Sequence, residues 1–359
     1  MKILLIRLRL IGDVVFTTPL IGALKRTYPN AHLSYLVERD AAPVVAGNPH
    51  VDDLIVIGKS RGWRRVRDDA RLAMRLRRER FDLVLDLHGG PRSALLTFAT
   101  GAPRRIGYDI KGRRGLYTHR VHRASGLHPR HSVVNQWDLL TAIDAWPEPL
   151  PDPARDPVFM PANPAATRHT DARLATAGVT PADTLIVVHV SAGNPFRRWP
   201  EGAFVDLVTA LAARTADRRI VLSSGPSDRA AAARIAQAAR QQLGSAAAHR
   251  IVDCGELNLV ELRAVIARSR LFVGGDTGPL HIAATTATPI VGLYGPTLAE
   301  RSAPWRDPHL ATASLFVEGL PCRPCDQRAC APGDFRCLTS LPADAVIAAA
   351  EQTLERSAQ

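Results

Sequence analysis

The stretch LFVGGDTGPLHIAATTATPIVGLYGPT, residues 271–297, reads as strand, turn, helix and strand. Leu271, Phe272 and Val273 form an apolar run that meets Gly274 and Gly275, and Asp276, Thr277, Gly278 and Pro279 then supply a helix start. The helix is expected to run to about Ala287, where Thr288 and Pro289 stop it. Ile290, Val291, Gly292, Leu293 and Tyr294 follow as a second unbroken apolar run, the pattern of a strand buried on both faces of a parallel sheet. In such a unit the loop after the first strand lies at the carboxyl edge of the sheet, where open α/β folds bind ligands. The backbone N–H groups of Thr277 and Gly278 at the helix start suit a phosphate, and His281 lies one turn further in. Capping by Asp276 or Thr277 accounts for part of this pattern. It does not account for the packed order Gly-Gly-Asp-Thr-Gly-Pro-x-His.

The same alternation runs through the rest of the chain. Apolar strands are expected at 2–8, 31–37, 54–57 and 81–87 in the first half, with a helix over 14–28 after Gly12 and Asp13. In the second half a helix over 165–177 precedes strands at 184–190 and 219–224. The Pro-rich run 147–164 reads as an extended linker. The 359 residues therefore divide into two α/β domains, 1–163 and 164–340, each large enough for its own core, and a terminal helix at 341–359 that is expected to cross back to the first domain.

Charge is unevenly spread. Residues 1–160 hold 26 basic and 16 acidic side chains, a net of +10, while residues 161–359 hold 20 and 18, a net of +2, which together give the formal +12. One domain thus faces an anionic partner, and a uniformly basic nucleic-acid coat is disfavoured. With 5% aromatic residues and no stacking motif, nucleic acid is not an expected partner. The basic residues gather at 61–80, where Arg61 and Arg64 begin a helix with Val66, Ala70, Ala73 and Leu76 on its apolar face, and again at Arg104, Arg105, Lys111 and Arg113 in a Gly-rich loop. These six cations are candidates for phosphate or carboxylate groups of an acceptor. Arg7, Arg9 and Asp13 interrupt the apolar N-terminus, so it reads as a strand and not as an export signal, and no run reaches the length of a membrane span.

Asp13 stands where a first strand ends, placed to accept a proton from an attacking hydroxyl or to cap the following helix. The loop HVSAGNPFRRWP after the strand at 184–190 carries Ser191, Gly193 and Arg197, and a basic side chain there could neutralise a diphosphate leaving group.

The runs IGDVVFTTPLIGALKRTYPNA and GGDTGPLHIAATTATPIVGLYGPT resemble the two signatures of glycosyltransferase family 9, the bacterial ADP-heptose:lipopolysaccharide heptosyltransferases. The resemblance spans nearly the whole chain. It implies a GT-B fold, α/β with two Rossmann-like doubly wound domains facing a central cleft, and an inverting, metal-independent transfer of heptose from ADP-heptose to the inner core of lipopolysaccharide. By it Asp13 is the catalytic base, Ser191, Gly193, Arg197, Ser227, Asp276, Thr277, Gly278 and His281 bind the donor, and Arg197 stands where the family often has Lys. Ser227 replaces a Glu that some members use on the donor ribose. The implied enzyme is cytoplasmic and touches the inner face of the cytoplasmic membrane, with no cofactor required for catalysis.

Cys322, Cys325, Cys330 and Cys337 are spaced C-x2-C-x4-C-x6-C, which in a reducing compartment suits either a structural zinc or iron or four reduced, unligated thiols better than disulfides. Two rivals have distinct signatures: a nucleotide-sugar epimerase of the same fold turns over the donor without acceptor, and a nucleic-acid binder shows steep salt dependence without sugar chemistry.

Overall fold

Unbroken runs of Ile, Leu and Val build two all-parallel sheets in the computed structural model, which describes residues 1–124, 127–191 and 194–356. The chain divides into two units, Met1–Pro161 and Ala162–Gln359. The first contains β1 (Lys2–Ile6), α1 (Ile11–Val15), α2 (Thr18–Thr27), β2 (His32–Glu38), β3 (Asp53–Ile57), α3 (Gly62–Glu79), β4 (Leu83–Asp86), α4 (Pro91–Thr100), β5 (Arg104–Tyr108), β6 (His119–Val121) and α5 (Ser132–Thr141). Its sheet order is β3-β2-β1-β4-β5-β6, so the winding reverses between β1 and β4.

The second unit contains α6 (Pro164–Thr176), β7 (Thr184–Val190), α7 (Glu201–Arg214), β8 (Arg218–Ser224), α8 (Arg229–Ala247), β9 (Ile251–Val252), α9 (Leu259–Arg268), β10 (Leu271–Gly275), α10 (Gly278–Ala283), β11 (Ile290–Leu293), α11 (Ala299–Ser302), β12 (Thr312–Leu315), α12 (Arg336–Thr339) and α13 (Ala343–Arg356). The order β12-β11-β10-β7-β8-β9 repeats the first topology, with its reversal between β7 and β10. Side chains of β7, β10 and β11 are buried on both faces, as their sequence pattern requires, and β10 pairs β11 in the register Val273↔Val291. Gly274 permits this packing: a Cβ there would stand 2.9 Å from the Phe272 ring and 3.3 Å from the Cβ of His189.

Several expected elements differ. The helix expected over 14–28 is broken into α1 and α2, because Pro19 restarts the helix and Thr17 Oγ1 turns back to donate to Val14 O at 2.6 Å. α10 ends at Ala283 instead of about Ala287, since Thr285 and Thr286 donate their hydroxyls to Ile282 O and Ala283 O at 2.7 and 2.8 Å and tighten the chain into a turn. The expected Gly-rich and basic loops contain the short strands β5 and β6. The Pro-rich segment is no free linker up to Met160, which is fully buried, while the side chain of Asp156 takes Arg26 at 2.5 Å. The last helix, α13, packs on α7 and β11 of the second unit and holds Arg218 through Glu351 at 2.6 Å.

His189 is buried within β7, with Nδ1 2.9 Å from Ser223 Oγ, and burial lowers its pKa to about 4. The unfolded chain titrates such a group near 6.5, so the stabilisation is complete above that value and is lost as pH falls through 4. The loss is about 3 kcal/mol. Urea unfolding measured from pH 7 to pH 4 is expected to show it, and His189→Gln to flatten that part of the profile. An unchanged profile in the variant would remove His189 as its source.

Candidate active site

Two carboxyl edges, one in each unit, hold most of the candidate site residues. In the first unit the loop after β1 brings Asp13 to the switch point beside β4. Leu10 precedes it with φ of 67°, a left-handed conformation that a leucine adopts only under constraint from its surroundings. Asp13 does not cap α1, whose N-cap is Leu10; its carboxylate instead pairs through Oδ2 with the guanidinium of Arg7. Arg7 is buried and also donates from Nη1 to Leu87 O at 2.5 Å, so the cation is fixed between the ends of β1 and β4. Asp13 is partly exposed.

The sequence reading missed His88, which follows β4 and faces the same cluster. Burial first, then the positive charges of Arg7 and Arg9, push its pKa down to about 4, against the pull of Asp13. A neutral imidazole therefore stands beside the Asp13 carboxylate at pH 7, and its Nδ1 is buried without a hydrogen bond among the described residues. Gly90 makes room for the ring, since a Cβ there would lie 2.7 Å from His88 Cδ2. The loop is tied by Asp86, which accepts from the N–H groups of His88 and Gly89 at 3.0 and 2.9 Å and from Tyr117 Oη at 2.7 Å. Leu-His-Gly-Gly at the end of an apolar strand was the available signal.

The six candidate acceptor cations do not gather in one place. Arg61 and Arg64 are exposed where α3 leaves the carboxyl edge after β3. Lys111 and Arg113 follow β5 at the same edge, and Arg113 Nη1 donates to Gly89 O at 2.6 Å, beside His88. Arg104 and Arg105 open β5 and pair with Leu83 and Val84 at the start of β4, so they lie at the amino edge, away from Asp13. Arg104 is bound to Asp144 at 2.5 Å, and Arg105 donates to Leu116 O and Ala102 O.

In the second unit the switch point joins the loops after β7 and β10. Asp276 is its hub. The side chain is 4% exposed, accepts from Thr297 Oγ1 at 2.5 Å, and lies 3.5 Å from His281 Nε2 and 3.6 Å from Arg197 Nη1. Burial alone would raise its pKa, but His281, Arg197 and Thr297 together outweigh that and hold it at about 2. Arg197 Nη1 also donates to Asp276 O at 2.6 Å. The Ser191 hydroxyl is buried and makes no hydrogen bond among the described residues, which leaves a polar group for a ligand. Gly193 lies outside the described residues. Thr277 is the N-cap of α10 without using its side chain, which donates to Gly275 O at 3.3 Å, and Gly278 opens the helix.

Further along the same sheet, at the ends of β8 and β9, lies a cavity of about 380 Å³ lined by Leu222, Pro226, Ala232, Asp253, Glu256 and Leu257. Ser227 is not in its wall; the hydroxyl donates to Asp228 Oδ2 at 3.0 Å and borders a smaller hollow beside Trp199. The cavity was not read from sequence, because Asp253 and Glu256 are 25 or more residues from Ser227 in the chain.

The cysteine segment straps the same loop. Gln327 Oε1 accepts from Arg197 Nε at 3.0 Å, Phe335 stands edge-on to Phe196, and Arg323 Nε donates to Gly295 O at 2.8 Å. Four thiols are a fitting donor set for zinc or iron. Burial and the charges of Cys325, Cys322 and Cys330 raise the Cys337 thiol, so the four are neighbours, yet among the described residues no three metal-binding side chains are already gathered around one point.

A family model described as glycosyltransferase family 9 (heptosyltransferase) matches residues 70–334. Lipopolysaccharide heptosyltransferase 3 of Escherichia coli is 29% identical over 359 residues, covering 98% of each chain. Among solved structures, a family 9 glycosyltransferase from Veillonella parvula superposes with a TM-score of 0.81 at 21% identity, over 99% of this chain and 97% of that one. The E. coli ADP-heptose lipopolysaccharide heptosyltransferase II gives 0.75 at 20% identity, over 100% of both chains. These likenesses establish the two-domain α/β architecture of the GT-B kind.

Proposed function

The chain belongs to glycosyltransferase family 9 (heptosyltransferase), and from that premise we propose that it transfers heptose from ADP-heptose to the inner core of lipopolysaccharide, with inversion and without a metal in catalysis. The observation that carries the reading is the pair of matched switch points, one presenting the Asp13 carboxylate and the other the Arg197 and Asp276 loop, with a cavity of about 380 Å³ further along the sheet of the second. The acceptor hydroxyl loses its proton to Asp13 as its oxygen bonds to the anomeric carbon. The bond from that carbon to the diphosphate breaks, and ADP departs with the electron pair. Arg7 orients the carboxylate, and the neutral His88 offers a hydrogen bond to the acceptor without competing for its charge.

Arg197, Ser191 and the start of α10 at Thr277 and Gly278 stabilise the charge that grows on the leaving diphosphate. Asp276 and His281 position that loop. The cavity takes the adenosine, and Asp253 or Glu256 takes ribose hydroxyls in place of a carboxylate at Ser227. Arg61, Arg64, Lys111 and Arg113 meet anionic groups of the acceptor, while Arg104 and Arg105 serve the amino edge of the sheet. A structural zinc or iron at Cys322, Cys325, Cys330 and Cys337 would brace the strap that carries Gln327, without joining the reaction. The enzyme works at the inner face of the cytoplasmic membrane, where its lipid-linked acceptor is presented; no described helix is long and apolar enough to cross a bilayer.

ADP release from ADP-heptose, with and without lipopolysaccharide truncated before the heptose region, tests the reading. Release is expected only with acceptor and is expected to persist in chelator at an unchanged rate. Donor turnover without acceptor would favour epimerisation. Chelator-sensitive release would overturn the metal-free mechanism, and donor binding with no release on any core acceptor would overturn the acceptor assignment.

A further inference from the structure

The helix α3 turns an apolar stripe away from the protein. The sequence reading places Val66, Ala70, Ala73 and Leu76 together on the apolar face, but of these only Leu76 is fully buried, in a cluster with Ile57, Phe81 and Leu96 that Leu72 also joins. Trp63 is 80% exposed, Val66 56% and Met74 55%. At 100° per residue these three share one face with the exposed Ala70, nearly opposite Leu72 and Leu76. The adjoining helix α4 adds Leu95 and Phe98, both exposed, and Met74 and Ala99 border one shallow hollow between the two helices. Folding of this unit leaves the whole stripe in water, and apolar surface of that extent on neighbouring helices marks a contact.

The surroundings of the stripe specify what covers it. Residues 61–80 hold nine arginines against three acidic residues. The three acids are engaged: Asp69 binds Arg92 at 2.6 Å, Glu79 binds Lys2 at 3.2 Å, and Asp68 accepts from Ser60 at 2.9 Å. Arg67, Arg71 and Arg78 are exposed along one flank of the stripe, and Arg77 is exposed within it. A folded protein partner would have to match fixed arginine positions one by one. An anionic bilayer needs no such match, because its negative charge is diffuse and its headgroup boundary accepts Trp beside aliphatic side chains while arginine stems reach outward to phosphates.

We propose that the outward face of α3, with Leu95 and Phe98 of α4, docks this protein on an anionic phospholipid surface. The 18-residue helix lies in the plane of the headgroups with Trp63, Val66 and Met74 dipping below them. Since α3 begins at the carboxyl edge of its sheet, docking brings the edge that bears Asp13 to the lipid surface. The proposal names the surface for the membrane contact of the proposed function and rests on that reading only for the presence of a lipid-linked acceptor.

Sedimentation of the full-length protein with phosphatidylcholine vesicles, alone or with phosphatidylglycerol, tests it at low and physiological salt. Expected are binding to the mixed vesicles only, weakening with salt, and a blue shift of tryptophan fluorescence that Trp63→Phe removes. The variants Trp63→Ser/Val66→Ser/Met74→Ser and Arg67→Gln/Arg71→Gln/Arg78→Gln are each expected to weaken binding about tenfold or more. Circular dichroism and ADP binding confirm that both remain folded. Turnover of a soluble, delipidated acceptor is expected to be unchanged in both. Absence of binding by the wild type, or equal binding by the apolar-stripe variant, overturns the proposal. So does vesicle-independent self-association that the stripe variant abolishes, since a second copy then covers this face. Vesicle binding without any sugar transfer would instead sink the enzymatic reading and leave the docking surface standing.

Discussion

Asp13→Ala lowers the rate of acceptor-dependent ADP release by about 10²- to 10⁴-fold, the usual contribution of a positioned general base. ADP affinity is expected to stay near that of the wild type, because the candidate donor contacts belong to the second unit. Removing the carboxylate has a second consequence. It leaves the buried Arg7 guanidinium hydrogen-bonded to Leu87 O but without the Asp13 counter-charge, so some stability is lost as well. Asp13→Asn separates the two effects, since its amide oxygen still meets Arg7 but cannot take a proton at neutral pH. Both variants are therefore expected to lose rate, and Asn to lose less stability. A slow Ala variant beside an active Asn variant would show that Asp13 acts through Arg7 and is not the base.

Asp276→Ala is the substitution expected to cost most in stability. The buried carboxylate serves Thr297, His281 and Arg197 at once, and removing one partner of such a set costs about 3–5 kcal/mol. Donor affinity falls with it, because Arg197 and the start of α10 lose their common anchor. The same carboxylate predicts a pH signature. Its folded pKa of about 2 lies below the ordinary value of 3.8, so its contribution is complete above 3.8 and is lost as pH falls through 2. That contribution is about 2 kcal/mol. Urea unfolding at pH 7 and between pH 4 and 2, with ADP binding measured at pH 7, checks both. Unaltered unfolding and ADP affinity in Asp276→Ala would remove Asp276 as the hub.

These two residues were legible because the features that single them out are local. Apolar runs ending in Gly-Asp or Gly-Gly-Asp name a strand end, a turn and a helix start within about ten residues, and both aspartates fall at the switch points that such units create. The roles of Arg7, His88, Gln327 and the cavity near Asp253 were not legible. Each depends on chain segments distant in sequence, as Arg197 and Gln327 show across 130 residues.

Sequence alone determined the two parallel α/β units, because a strand buried on both faces needs an unbroken apolar run and few other structures tolerate one. It also determined that α3 is a basic helix, since its arginines recur too densely for a core element. Tertiary structure decided which charges share an edge: Arg61 and Arg113 stand at the carboxyl edge that bears Asp13, while Arg104 and Arg105, only eight or nine residues before Arg113 in the chain, stand at the opposite one. It decided too which stripe of α3 meets the core. Helical periodicity marks apolar faces but does not rank them, and here Leu72 and Leu76 fill the space over β3 and β4, so Trp63, Val66 and Met74 are left facing out.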